Sequence, residues 1–221
     1  MDYQTKEQLE GALRKPSKEI FDDLAISLMR NFAIVNGQEG VEYRIAELEY
    51  YLYNQDHPDS TVYKRDCTEG QFFFHGDGID IAFKTDIKKM PFEKGSELRL
   101  TQYGGILVRG LLKIKDGKVV DVFGGPQNCM LELCNTAKQF PSLIPAPHLA
   151  DYKIYATERV QKEKGNYEGE KYRYFFEISD REREVEQLRK RYRKGGDVIL
   201  LEKFPRVYQN PPIAIPENCI E

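Results

Sequence analysis

The chain is 221 residues long and carries a net charge of -3, with 40% hydrophobic residues, 14 Tyr, 12 Phe and no Trp. This fits a single domain, residues 1–221, with enough apolar material for a sizeable core. It excludes a helical membrane span and, at Met1-Asp2-Tyr3-Gln4-Thr5-Lys6, a secretory signal. It also counts against a large nonspecific DNA-binding face, which needs Lys and Arg in numbers.

In chain order, residues 1–15 are polar and helix-prone and read as a surface helix or a loose N-terminal arm. Pro16-Ser17 opens a helix with Ser17 as its N-cap and Ile20, Phe21, Leu24 and Leu28 as an apolar stripe. A turn from Asn36-Gly37 to Gly40 leads into a strand that runs through Leu52. Residues 53–70 form a polar loop, long for a compact domain. A tight hairpin follows, turning at Gly76-Asp77-Gly78. More strands are expected at 98–100, 105–114 and 119–123, the last two joined by the turn Lys115-Asp116-Gly117-Lys118. Residues 126–139 read as a helix with Pro126 at its first position. The prolines of 140–150 mark a loop, and 152–157 and 172–178 read as strands. Ser179-Asp180-Arg181-Glu182 is a capping-box start to a charged helix ending near Gly195-Gly196, then 198–201 is a short strand and 205–221 an extended tail. Strands of mixed spacing beside about four helices make an α+β domain. Cys67, Cys129, Cys134 and Cys219 have neither disulfide-framework nor metal-site spacing, which points to a reduced, cytoplasmic protein.

Most of the chemistry lies in Arg44-Ile45-Ala46-Glu47-Leu48-Glu49-Tyr50-Tyr51-Leu52. Alternation puts Tyr43, Ile45, Glu47, Glu49 and Tyr51 on one face, and Arg44, Ala46, Leu48, Tyr50 and Leu52 on the other. Two carboxylates and a tyrosine on one face fit equally a strand with one side in water. Arg109 stands in the apolar run Ile106-Leu107-Val108-Arg109-Gly110-Leu111-Leu112, where a guanidinium must be paired. Glu47 and Glu49 are its obvious partners, either as a buried salt bridge or as part of a hydrolytic site. The basic helix end, Arg189-Lys190-Arg191 with Arg193 and Lys194, fits a solvated face or a favourable partner for the helix dipole, with phosphate binding as the alternative.

These residues resemble the alkyladenine (3-methyladenine) DNA glycosylase family. Arg44 to Leu52 is similar to a family strand that runs roughly R-I-V-E-T-E-A-Y-L. Asp23-Leu24-Ala25 through Asn31-Phe32 resembles the helix leading into it, and Gly105-Ile106-Leu107-Val108-Arg109-Gly110-Leu111 resembles V-L-L-R-A-L. Gly125-Pro126-Gln127-Asn128-Cys129-Met130-Leu131-Glu132-Leu133 is similar to G-P-x-K-L-x-x-A-L. Thr157-Glu158-Arg159-Val160 and Tyr172-Arg173-Tyr174-Phe175-Phe176 resemble R-V-G-V and R-F-Y-V. The matches occur in the family's order across roughly residues 20 to 180. The resemblance implies a single α+β domain with a curved, mostly antiparallel sheet flanked by helices. It implies removal of a damaged or modified purine from DNA by water attack, as in base excision repair, without metal or cofactor. Glu49 would be the general base, Arg109 the holder of the attacking water and Tyr51 the ring that stacks on the flipped base. His75 and Asp80 would line the pocket, and Arg159 and Arg173 would contact DNA phosphates.

The departures bear on substrate. The hairpin Phe74-His75-Gly76-Asp77-Gly78-Ile79-Asp80 is shorter than the family's wedge-bearing Y-x-x-Y-G stretch, and its acidic tip repels phosphate rather than plugging a duplex. The family's clamp histidine falls at Ser60, with His57 close by, and the glycine of R-V-G-V is Gln161. His75 and Asp80 also read simply as turn residues. Two other functions stay open: a hydrolase of a nucleoside, a single strand or another small N-glycoside, and a noncatalytic binding protein with Glu49–Arg109 as a structural ion pair.

Overall fold

Two long paired strands organise the molecule. A computed structural model describes residues 2–92, 95–149, 152–160, 167, 169–177 and 213–214. The helix expected from Ser179, the strand expected at 198–201 and the tail at 205–221, apart from Ile213–Ala214, lie outside the described residues.

Helix α1 (Lys6–Arg14) begins at a reciprocal cap, with the Gln8 N–H donating to Thr5 Oγ1 at 3.3 Å and the Thr5 N–H donating to Gln8 Oε1 at 3.0 Å. Leu9, Ala12 and Leu13 recur at helical spacing and are buried. Ahead of them, the Tyr3 N–H donates to Ser27 Oγ at 2.9 Å. The first residues are thus a docked helix, not a loose arm. Helix α2 (Phe21–Asn31) follows one 3-10 turn at Lys18–Ile20, and Ser17 precedes that turn without a capping bond.

Strands β1 (Phe32–Val35), β2 (Val41–Tyr53), β3 (Phe72–His75), β4 (Gly78–Ala82), β5 (Asp86–Phe92), β6 (Gly95–Lys115) and β7 (Lys118–Gly124) come next. Helix α3 (Pro126–Asn135), with Pro126 in its first turn, is followed by β8 (Ser142–Pro145), β9 (Ile154–Thr157), β10 (Arg173–Phe176) and β11 (Ile213–Ala214). Among the described residues all pairings are antiparallel, in the order β11-β9-β10-β2-β6-β4-β3, with β1 and β8 beyond one side of β2 and β5 and β7 on β6. The sheet curls into a half-barrel, and with few helices it makes a single α+β domain. No described helix is long and apolar enough to cross a membrane.

Several boundaries differ from the sequence reading for local reasons. Strand β6 runs without a break through Gly104-Gly105, joining what read as separate strands. Gly104 has φ +144, and a Cβ there would lie 2.1 Å from Tyr51 O, so glycine lets β2 approach without breaking the ladder. The proline-rich 140–150 segment holds β8, which pairs with β1 at the sheet edge, where a missing N–H costs least. Helix α3 stops at Asn135 because the Lys138 and Gln139 N–H groups turn to Asn36 O at 2.8 and 3.0 Å. The two tight hairpins form as expected: His75 pairs with Gly78 around Gly76-Asp77, and Asp116-Gly117 supply φ of +51 and +71 between β6 and β7.

The face of β2 that carries Leu48, Tyr50 and Leu52 packs toward α2. Phe21 stacks on Tyr50 at 4.1 Å, and Tyr174 meets Tyr50 edge-on at 5.5 Å. This apolar layer supports the sheet from behind and leaves the opposite face for the charged residues.

Gly104→Ala tests the close approach of β2 and β6. The variant should lose about 2–4 kcal/mol in urea unfolding, in the range of backbone-strain and overpacking mutations. An unchanged midpoint would contradict the approach.

Candidate active site

Directly opposed residues in an antiparallel ladder share a face. One row therefore crosses the sheet as Phe73, Asp80, Leu107, Glu49, Arg173 and Thr157. The neighbouring rows on this face hold His75 and Arg109 on one side, and Gly105 and Tyr51 on the other. The β2–β6 register shifts on both sides of Glu47, which faces Gly110 while Leu48 faces Val108, so Arg109 has no residue opposite it. Such a bulge re-aims a side chain, here toward both acids.

Glu49 is fully buried and Glu47 nearly so. Arg109 bridges them, with Nε donating to Glu47 Oε1 at 3.0 Å and Nη1 to Glu49 Oε2 at 3.2 Å. Arg173 comes from the other neighbouring strand, and its Nε donates to Glu47 Oε1 at 2.5 Å. Two more donors complete Glu49: Tyr51 Oη to Oε2 at 3.0 Å and the Val160 N–H to Oε1 at 2.6 Å. Burial pulls the Arg109 guanidinium down, but the Glu49 and Glu47 charges outweigh it and hold it above the ordinary arginine value. Burial, with Glu49 adding to it, pushes the Tyr51 hydroxyl well above the ordinary tyrosine value. Arg109 keeps 15% of its side chain exposed, and Tyr51 is half-buried, so the cluster opens to solvent along these two residues.

Across Leu107 lies a second buried acid. Asp80 accepts from Arg65 Nη1 and, through its other oxygen, from His75 Nε2 at 3.2 Å. His75 Nδ1 accepts the Asp77 N–H at 3.3 Å, which places the ring hydrogen on Nε2. A Cβ on Gly105 would lie 3.1 Å from Arg65 Nη1, so this glycine makes room for the guanidinium. Two strand spacings separate the Glu49 and Asp80 backbones by about 10 Å. The floor between them is Leu107 and Gly105.

All five residues expected at the site, Glu49, Arg109, Tyr51, His75 and Asp80, therefore lie on one face of the sheet. The hairpin beside them does not project. Gln127 Nε2 donates to Gly76 O at 3.0 Å, the Tyr63 hydroxyl donates to Asp77, and a Cβ on Gly78 would meet Pro126 Cβ at 2.7 Å.

The two arginines expected to hold phosphate are placed otherwise. Arg173 is 3% exposed and committed to Glu47, and Arg159 is 8% exposed and committed to Asp59. Both guanidiniums are turned into the protein and each is paired with a carboxylate there. His57 is likewise a core residue: Nδ1 donates to Leu52 O at 2.8 Å, Tyr172 Oη donates to Nε2 at 3.0 Å, and Tyr167 stacks on the ring at 3.8 Å. Burial lowers its pKa below the ordinary 6.5.

Sequence reasoning did not single out Arg65, Asp59 or the Val160 N–H. The first two sit in the long polar loop, whose length was their signal. A backbone donor carries no side-chain signal at all.

No known protein-family profile matches the chain. It is similar to the uncharacterized protein L759 of Acanthamoeba polyphaga mimivirus, with 29% identity over 133 residues, 53% of this chain and 57% of that protein. The chain thus spans little more than half the length of that relative.

Two measurements check the arrangement. Glu47→Gln should cost about 3–5 kcal/mol, since it takes the countercharge from both Arg109 and Arg173, whereas Glu49→Gln leaves Arg109 on Glu47 and should cost about 1–3 kcal/mol. Urea denaturation that ranks them in reverse would contradict the network. His57 makes stability fall in acid: its folded pKa is depressed, so below about 6.5 the unfolded chain binds the extra proton. Melting temperature should drop as pH passes down through that value, and less steeply in His57→Gln. Equal slopes would contradict a buried, neutral ring.

Proposed function

We propose that the protein is an N-glycosidic hydrolase that removes a damaged or modified purine from DNA, with Glu49 as general base. The observation that carries this reading is the acceptor count on Glu49. A carboxylate offers about four acceptor sites. Val160 N–H, Tyr51 Oη and Arg109 Nη1 take three of them. Oε2 holds two of these donors and Oε1 only the Val160 N–H, which leaves one site on Oε1 for a water.

In this reading the water gives a proton to Glu49 as its oxygen bonds to the sugar C1′. The C1′–N bond breaks, and its electron pair leaves with the base. An alkylated purine that is already cationic leaves as a neutral molecule and needs no acid. The Glu49 charge also offsets the positive charge that builds on the sugar. Tyr51 supplies a flat wall, while Asp80 and His75 line the far side of the gap.

The pinned hairpin tip favours a substrate whose base is already accessible, in a single strand or a nucleoside, over one levered from a duplex. This second reading keeps the same chemistry and changes only the carrier of the base. If Glu49 serves only to pair Arg109, the protein is instead a noncatalytic binding module.

Base release under single-turnover conditions separates these readings, using alkylated and deaminated purines in duplexes, single strands and nucleosides. Wild type should release base, and Glu49→Gln should be slower by about 10²–10⁴-fold. Equal release by both proteins would remove Glu49 from the chemistry, and no release by wild type would favour the binding module.

A further inference from the structure

The Asp59–Arg159 pair is the most deeply sealed ion pair on this face, with side chains 0% and 1% exposed. Arg159 Nη1 donates to Asp59 Oδ2 at 2.5 Å and to Tyr50 O at 3.1 Å. The other Asp59 oxygen accepts from the Thr61 N–H at 2.9 Å and Thr61 Oγ1 at 2.6 Å, which fixes the carboxylate within its loop. Among the described residues Arg159 Nε and Nη2 have no oxygen partner. The guanidinium instead lies 4.7 Å from the centre of the Tyr51 ring and 5.6 Å from that of Tyr172, and aromatic faces attract a cation.

Two groups in contact with this guanidinium, or adjacent to it in the chain, end on Glu49. Tyr51, under the guanidinium, donates its hydroxyl to Oε2, and Val160, the next residue, donates its N–H to Oε1. Moving Arg159 therefore moves both donors, and these two bonds stop the carboxylate from rotating about its last bond.

We infer that Arg159, held by Asp59, is a positioning residue: it clamps Tyr51 and carries the Val160 N–H so that the remaining lone pair of Glu49 faces the gap. The inference rests on the reading of Glu49 as the general base. A purely structural pair would tie the loop to the sheet and leave the direction of Glu49 unaffected.

The test has one readout without substrate and one with it. In isotope-labelled protein the Val160 amide proton should resonate far downfield, as a short bond to a carboxylate requires. Arg159→Lys keeps the charge but loses the planar fork, and Asp59→Asn keeps the shape but loses the charge. In both variants the Val160 amide should move upfield, and the single-turnover rate at saturating substrate should fall by about 10²-fold. The clamp is overturned by a folded variant with wild-type amide position and rate, or by lost affinity with the rate preserved. If Asp59→Asn does not fold, Arg159→Lys decides, and an ordinary amide position in the wild type also overturns the clamp. If the amide moves as expected but the wild type releases no base, the clamp stands and the glycosidic reading fails.

Discussion

Two carboxylates two residues apart on one buried strand set the terms for the rest of the structure. Glu47 and Glu49 cannot sit inside a sheet without countercharge, since an isolated buried carboxylate costs several kcal/mol even after relaxation. The strands on either side of β2 each deliver one arginine, Arg109 from β6 and Arg173 from β10. This makes strand order and register part of the electrostatics. A one-residue slip of either neighbour would turn its guanidinium to the apolar face and strand the acids. The same constraint explains the bulge at Glu47, which lets one guanidinium reach both carboxylates.

The remaining charges on this face follow the same rule. Asp80 is matched by Arg65, and Asp59 by Arg159. Among the described residues each buried carboxylate of this face is thus matched by an arginine. Arg44 solves the opposite problem on the apolar face. It donates to the backbone carbonyls of Arg30 and Pro147 at 3.2 and 2.6 Å and to Glu42 at 2.9 Å, anchoring β2 to the end of α2.

Much of this was legible from residue order. Strict alternation placed Glu47, Glu49 and Tyr51 together, and the impossibility of an unpaired guanidinium in an apolar strand pointed from Arg109 to those acids. Gly78 and Gly117 at the two hairpins were equally informative, because few other residues accept their backbone angles. What stayed hidden was nonlocal. Arg159 and Arg173 looked like phosphate ligands, because a sequence does not reveal that a carboxylate lies buried beside each. Strand β8 was masked by its prolines, and Gly104-Gly105 looked like a break where a neighbouring backbone demanded close approach. The Val160 N–H belongs to the backbone, and only the fold brings it within 2.6 Å of Glu49.

In the hydrolytic reading proposed above, the fourth acceptor site of Glu49, on Oε1, holds the attacking water. A high-resolution crystal structure of the wild-type protein tests it most directly. It should contain one ordered water within about 3 Å of Glu49 Oε1. A protein side chain in that position, or a dry contact closed over Glu49, would contradict the account and leave the four charges as a structural ion network.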